Sequence, residues 1–330
     1  MIVPATPEAI DRAARLLHDG ALVAFPTETV YGLGAAARNE KALRALYAAK
    51  GRPGEHPVIV HLALASAMAR WARHVPSFAQ TLADAFWPGP LTLVLPRADH
   101  VSPLVTGGQD SVGLRVPAHP VAHALLERFA ALGGDGIAAP SANRFGRISA
   151  TLAEHVDDEF GADVALILDA GACDFGIEST IVDCTGEHPA LLRPGAIALG
   201  ELSRVLGRVP DEPGCGAPRA SGTLAAHYAP RTPARLVAPG ALAHLGVETP
   251  RAPTTAIAVL ARSVDRPATF DGHWHIAPAD AAGYAHDLYA QLRALDAMGA
   301  REIWIEAPPA TPEWAAVRDR LQRATHDAGL

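Results

Sequence analysis

Residues 24–53 read AFPTETVYGLGAAARNEKALRALYAAKGRP. The run that leads into them, ALVAFPT at 21–27, is short and apolar, which suits a buried strand. A turn rich in threonine and glycine follows, ending in YGLG at 31–34. Asn39 then caps a helical pattern over 39–49, and the helix runs out into Lys50-Gly51-Arg52-Pro53. A polar turn beside a helix and two closely spaced cations suits an anion. The dinucleotide spacing G-x-G-x-x-G and the phosphate loop G-x-x-x-x-G-K-[ST] are both absent, so the anion is held in some other way.

Working outward, strands and helices alternate. Residues 7–19 carry Ile10, Ala13, Ala14, Leu16 and Leu17 at helical spacing, after Thr6-Pro7 and before Gly20. PVIVHLA, LTLVLPR, SVGLRVP, VALILDAG, STIVDCT and ALLRPG read as strands, and GIAAPSAN enters from one. Helices are predicted over 66–73, 77–86 and 119–131. The pattern is α/β rather than all-β. After about Gly200 the composition shifts to Gly, Pro and Ser, and GRVPDEPGCGAPRASGTLAAHYAPRTP reads as a long connection. ARLVAP, TTAIAVLAR, HWHIAP and EIWIEAP then read as strands, with helices over 280–298 and near 312–326. The expected division is 1–205, a linker over 206–232, and a smaller α/β domain over 233–330.

Composition narrows the function classes. The chain has 330 residues, 49% hydrophobic and 19% charged, which supports a sizeable core and two domains. A net charge of −7 argues against nucleic-acid binding driven by bulk charge, while leaving room for one basic pocket. Almost all of the 28 basic residues are arginine, with lysine only at 41 and 50. Cys173, Cys184 and Cys215 form no C-x-x-C pair, which favours reduced thiols and a cytoplasmic setting. The first residues lack a basic start followed by an apolar run, and no stretch is apolar for long enough to span a membrane, so neither a signal peptide nor a membrane span is expected.

Three segments hold the densest polar groups. The first carries Thr27, Thr29 and Tyr31, then Lys50 and Arg52, then His56 and His61. The second carries Ser111 and Arg115, then Ser141, Asn143, Arg147 and Ser149. The third carries Ser179, Thr180 and Arg193. Small polar residues with forked, permanently charged arginines suit phosphate and carboxylate. Each residue alone has a plainer reading: turn caps for the threonines, a turn for Ser141 and Asn143, solvated strand ends for the arginines, a core position for His61 and a loop for His56. Glu28 and Glu178 are the two carboxylates that could imitate an acid–base pair, and nothing in the spacing brings them together. The histidines have no zinc-ligand spacing, and no dedicated metal ligands are expected.

The ordered set PTETVYGLG, KGRPGEHPVIVH, WPGPLTLVL, VGLRVPAHP, APSANRFGRIS, GIESTIVD and LLRPGAI resembles the YrdC/Sua5 family over about residues 25–200. The part beyond, with SGTLAAHYAPRTP as its connection, resembles the longer Sua5 form. The resemblance implies a YrdC-like twisted mixed sheet with helices around a basic cavity, plus a smaller Rossmann-like Sua5 C-terminal domain. It implies an L-threonylcarbamoyladenylate synthase, a nucleotidyltransferase. Such an enzyme makes threonylcarbamoyl-AMP and pyrophosphate from L-threonine, bicarbonate or CO2, and ATP with Mg2+. The product is passed to the tRNA threonylcarbamoyltransferase machinery for N6-threonylcarbamoylation of adenosine 37 in tRNAs that read codons beginning with A. Weak RNA binding is compatible with it.

The same resemblance assigns site residues. Lys50 and Arg52 become catalytic cations at the phosphates, and His56, Ser111, Ser141, Asn143, Ser149 and Arg193 further ATP-binding residues. His56 stands where the family often has asparagine. His227 and Tyr228 match a segment that folds over the nucleotide, and Thr29, His61, Arg115 and Ser179 match positions that hold L-threonine. Two rivals remain: a carbamoyl-transferring hydrogenase-maturation protein, which should carry zinc-finger cysteines, and a non-catalytic RNA-binding module.

Overall fold

A computed structural model describes residues 1–245 and 256–326. By internal packing the chain divides into two units: 1–145 with 149–223, and 146–148 with 224–330. Each is mixed α/β.

The first unit is built on ten strands: β1 (Ile2–Pro4), β2 (Val23–Phe25), β3 (Gly32–Ala36), β4 (Ile59–His61), β5 (Leu91–Pro96), β6 (Ser111–Arg115), β7 (Ile137–Ala138), β8 (Leu166–Asp169), β9 (Thr180–Asp183) and β10 (Ala190–Arg193). They form one twisted mixed sheet in the order β1-β8-β2-β3-β7-β4-β6-β5-β9-β10. Its helices are α1 (Pro7–His18), α2 (Glu40–Lys50), α3 (Ser77–Phe86), α4 (Pro103–Thr106), α5 (Pro120–Ala131), α6 (Ala153–Phe160) and α7 (Leu199–Leu206). Side chains alternate across a strand, so each strand feeds two cores. Val23, Phe25, Leu166 and Leu168 meet Ile10, Leu17, Leu125 and Phe129 of α1 and α5. Ala24, Leu33 and Ile167 face the other way, toward Leu43 and Leu46 of α2.

That alternation continues at β4, β6, β5 and β9. Val60, Val112, Leu114, Leu91, Leu93 and Val182 enter the α2 side core. Ile59, Val94 and Ile181 therefore face the opposite side, where with Leu192 they form a small apolar patch against Ala217 and Ala220. His61, Ser111, Arg115 and Thr92 have the same parity and stand on that face.

Several expectations need correction. YGLG is not part of a turn: Gly32–Ala36 is a strand in the interior of the sheet. A Cβ at Gly34 would come within 2.9 Å of the Phe25 ring and 3.0 Å of Ile137 Cγ2, so glycine there serves close packing. The helix expected over 66–73 is a 3-10 segment, Ala65–Arg70. Beyond it, Ala72 bridges to Arg97 and the Arg73 N–H bonds Pro96 O, which draws the backbone to the end of β5. The sequence reading also passed over α6 and α7.

The segment after α7 is hydrogen-bonded to its unit. Asp211 pairs with the backbone of Pro189 and Leu191, at 2.8 and 2.9 Å. The Arg219 N–H bonds Gln109 Oε1 at 2.6 Å, and Ser221 Oγ bonds Pro57 O at 2.9 Å.

The second unit has four parallel strands, β11 (Ala234–Val237), β12 (Ile257–Ala261), β13 (His273–Ile276) and β14 (Glu302–Glu306), in the order β11-β14-β12-β13. Thr254 and Thr255 of the expected TTAIAVLAR strand lie outside the described residues. Its helices are α8 (Pro239–Ala243), α9 (Ala281–Asp296) and α10 (Ala315–Ala324), the last preceded by a 3-10 turn at Pro312–Trp314. Glu306, at the end of β14, accepts the N–H groups of Arg262 and Ser263 at 2.6 and 2.8 Å, and the Ser263 hydroxyl. Those two residues directly follow β12, the neighbouring strand.

Candidate active site

The site-bearing loop joins β2 to β3, which are antiparallel with Phe25 opposite Gly32. Thr27 closes the loop: its hydroxyl accepts the Thr29 and Val30 N–H groups, each at 3.2 Å, and donates to Val30 O at 2.6 Å. Its proton is thereby committed, so the 2.8 Å contact with Thr29 is donated by Thr29. Thr29 in turn accepts from Arg115 Nη1 at 2.9 Å. A directed chain runs from Arg115 through Thr29 and Thr27 to the backbone. The plainer capping role fits Thr27, while Thr29 orients the arginine.

Arg115 ends β6 and sits in register with His61 of β4. Its Nε donates to Gly89 O at 3.2 Å. Nη2 lies 2.6 Å from Glu28 Oε1, both side chains being 4% exposed. The two side chains form a buried ion pair, to which hydrogen bonds from Arg115 and from the Glu28 and Ala118 backbone contribute. His61 Nδ1 has no hydrogen-bond partner among the described residues. Burial is the largest influence on Glu28 and raises its pKa, but the Arg115 charge and hydrogen bonds from Arg115 and from the Glu28 and Ala118 backbone together hold the carboxyl below its ordinary value. Burial, helped by the Arg115 charge, lowers His61 to about 3, so its ring is neutral. Neighbouring Cys173, pushed up to about 12 mainly by burial, is a protonated thiol.

On the strands beyond β6, Ser179 Oγ lies 2.8 Å from Thr92 Oγ1. Arg193 Nη2 donates to Ser179 O at 2.8 Å and Oγ at 3.2 Å, and Nη1 donates to Ser221 O at 2.7 Å. Ser111 lines a small pocket with Thr92, Gly113, Ile181, Arg219 and Ser221.

The second group of cations begins where α2 ends. Lys50 is buried, and its ammonium donates to Ser141 O at 2.6 Å and to Asn143 O. Burial, with the Arg52 charge, draws its pKa well below the ordinary lysine value. Gly51 follows in the left-handed conformation, φ 61°, and releases the chain from the helix. Arg52 Nη2 donates to Pro57 O at 2.7 Å and reaches Ser221 Oγ at 3.4 Å. His56 is half-buried, its ring 5.1 Å from that of Phe145, and burial followed by the Arg52 charge lowers its pKa. The loop with Ser141 bridges to Gly32 of β3. Asn143 Nδ2 bonds Arg144 O at 2.8 Å, and Ser149 Oγ bonds Glu178 Oε1 at 2.5 Å.

His227 and Tyr228 belong to the second unit and are buried. Within it, the Tyr228 ring stacks on Tyr289 at 5.6 Å and lies 5.3 Å from the Arg320 guanidinium. Its φ of 61° is unusual for a tyrosine. Arg147 is in this unit too, bonded to Pro230 O at 3.2 Å.

Thus the first unit brings together Thr29, His61 and Arg115, and separately Lys50 with Ser141 and Asn143, Arg52 with His56, and Arg193 with Ser179. Glu28 and Glu178 have different partners, Arg115 and Ser149. Among the described residues, no group of three or more His, Cys, Asp or Glu could hold a metal ion. No described helix is long and apolar enough to cross a membrane.

One face of the mixed sheet thus carries a buried Arg–Glu pair and a neutral histidine, flanked by arginines that grip loops. The chain belongs to the Sua5/YciO/YrdC family, whose profile, described as "Telomere recombination", matches residues 15–195. A second profile, "Threonylcarbamoyl-AMP synthase, C-terminal domain", matches residues 197–326. The chain is 44% identical over 223 residues to the threonylcarbamoyl-AMP synthase of Pyrococcus abyssi, covering 66% of this chain and 64% of that one. It is 44% identical over 229 residues to the enzyme of that name from Bacillus subtilis, covering 68% and 65%. The matched stretch thus spans about two thirds of these relatives' length. The crystal structure of P. abyssi Sua5 complexed with L-threonine aligns with a TM-score of 0.88 at 34% identity, over 98% of this chain and 97% of that one.

Proposed function

We propose that this chain is an L-threonylcarbamoyladenylate synthase. It condenses L-threonine, bicarbonate or CO2, and ATP into threonylcarbamoyl-AMP and pyrophosphate. The observation that carries this reading is the Arg115 site: a buried guanidinium, oriented by Thr29, Gly89 O and its ion pair with Glu28, beside neutral His61. Likeness to a Sua5 structure holding L-threonine supports that ligand.

Arg115 binds the amino acid's carboxylate, with Thr29, His61 and Ser179 around it. Threonine's neutral amine attacks CO2 or bicarbonate, and a carbamate oxygen then attacks the α-phosphorus of ATP. Two anions must meet, so cations at their meeting point lower the barrier. Two of the three Lys50 N–H groups hold the Ser141–Asn143 loop, and the third serves a phosphate oxygen. Arg52 and Arg193 add charge while holding the backbone at Pro57, Ser179 and Ser221. Ser111, Ser141, Asn143, Ser149 and His56 complete the nucleotide site. Mg2+ would travel on the triphosphate and neutralise part of its charge. The product would serve N6-threonylcarbamoylation of tRNA adenosine 37 in the cytoplasm.

The test is incubation of the full chain with ATP, bicarbonate and each amino acid in turn, reading pyrophosphate and acyl-AMP by mass spectrometry. Pyrophosphate should appear only with both L-threonine and bicarbonate. Equal release without threonine overturns the reading.

A further inference from the structure

We propose that Gln109 is a positioning residue for the nucleotide: its side-chain amide holds the strap 217–221, and the strap sets the separation of Arg52 and Arg193. This rests on the reading of both arginines as phosphate-binding cations and adds the residue that keeps them in place.

Gln109 stands two residues before β6 and pairs with Arg219 as a neighbouring strand would. Its Oε1 accepts the Arg219 N–H at 2.6 Å, and its Nε2 donates to Arg219 O at 3.0 Å. Two antiparallel residues exchange the same pair of bonds. The amide cannot be turned over, because Nε2 also donates to Thr106 O at 3.3 Å and an oxygen there could not. A primary amide offers a donor and an acceptor side by side, which a carboxylate or an aliphatic chain does not. The Arg219 side chain closes the same joint from the other direction, donating to Gly107 O at 2.9 Å and to Glu55 O at 3.3 Å.

Two residues on, Ser221 reaches both arginines. Its carbonyl accepts Arg193 Nη1 at 2.7 Å. Its hydroxyl donates to Pro57 O at 2.9 Å and accepts Arg52 Nη2 at 3.4 Å. Arg52 follows α2 and Arg193 ends β10, so Ser221 is the shared partner of two cations far apart in the chain. Gln109, Ser111 and Ser221 line one pocket, so the joint borders the space it organises. The apolar hold on the strap is slight. Ala217 and Ala220 meet the patch of Ile59, Val94, Ile181 and Leu192, and two methyl groups bury little area. The polar joint at Gln109 therefore decides where Ser221 sits. The partners of Arg115, namely Thr29, Glu28 and Gly89 O, lie outside the strap, so amino-acid binding is independent of it.

The experiment is calorimetric titration of the full chain with ATP and with L-threonine, on the wild type, Gln109→Leu, Ser221→Ala and the double variant, with melting temperatures alongside. Gln109→Leu should weaken ATP about tenfold, spare threonine and leave the melting temperature close to wild type. Ser221→Ala alone should weaken ATP about threefold, yet add almost nothing in the Gln109→Leu background, because Gln109 acts through Ser221. Unchanged ATP affinity in Gln109→Leu overturns the proposal, as does equal weakening of both ligands or full additivity in the double variant. Arg52→Ala and Arg193→Ala isolate the reading beneath it: if both keep wild-type ATP affinity, the assignment of the arginines to phosphate fails, whatever Gln109 does. Should Gln109→Leu not fold, hydrogen exchange of the wild-type chain decides. The Arg219 N–H should be protected, and ATP but not threonine should slow its exchange further. Free exchange of that N–H, or exchange indifferent to ATP, overturns the proposal.

Discussion

Two clusters of the first unit use the same residue types in opposite ways. Around Arg115 the guanidinium is held by side chains, in a buried ion pair with Glu28 and a hydrogen bond to Thr29, with Gly89 O its one main-chain partner. Around Lys50, Arg52 and Arg193 the cations give hydrogen bonds to main-chain carbonyls: Ser141 and Asn143, Pro57, and Ser179 with Ser221. The first arrangement is a buried pair of opposite charges turned toward one face of the sheet. The second is already a scaffold, in which each cation fixes a loop and lends its charge to whatever lies beside it. Mutations should therefore separate by ligand in the first cluster and spread across rate and stability in the second.

The largest effect is expected for Lys50→Ala, which removes both a charge and a loop anchor. Pyrophosphate release should fall by about 10²–10³, and the melting temperature should fall with it. Lys50→Arg should recover only part, since a planar fork does not fit between two carbonyls that hold a compact ammonium. Near-wild-type turnover of the alanine variant would break the scaffold side of the contrast. Next comes Arg115→Ala, which should weaken threonine on the order of 10²-fold in calorimetry while leaving ATP nearly untouched. Equal loss of both ligands would erase the difference between the clusters. Ser141→Ala removes a half-buried hydroxyl while keeping the carbonyl that Lys50 grips. It should cost ATP affinity about tenfold or less and spare threonine.

The smallest effect is a matter of pH. His61 stays neutral in the folded chain down to about 3, whereas its ordinary value is 6.5. Between these values the unfolded chain binds a proton that the folded chain refuses. Stability is full above the ordinary value and falls toward acid, by at most about 1.4 kcal/mol per pH unit. The depressed Glu28 carboxyl acts in the same direction, its contribution being lost as pH falls through its folded pKa. His61→Phe should flatten the dependence of denaturant midpoints on pH in this window. An unchanged slope would show that His61 titrates freely.

What the sequence revealed was mostly local. Thr6 and Asn39 cap α1 and α2 through neighbours three residues on, and both helices were legible for that reason. The strand at Gly32–Ala36 was not. Its glycines answer to Phe25 and Ile137, and Ile137 is far off in the chain. The same limit applies to the site. Motif order pointed to Lys50 and to Ser141 with Asn143, but the grip of one on the others spans some ninety residues and is a product of folding. Glu28 was legible only as one of two carboxylates, with Glu178, that could imitate an acid–base pair. Its importance arises because β6 brings Arg115 against it.

Glu306 has a consequence for the second unit. Parallel α/β sheets commonly place a guest anion beyond the carboxyl ends of their strands, where backbone N–H groups converge. Here the N–H groups of Arg262 and Ser263, just past β12, already close on a carboxylate from the adjoining strand. The unit carries its own tethered tenant in that berth: the negative charge arrives with the chain at folding and cannot diffuse away. Two neighbouring strand ends are thereby clasped together as a permanent fixture.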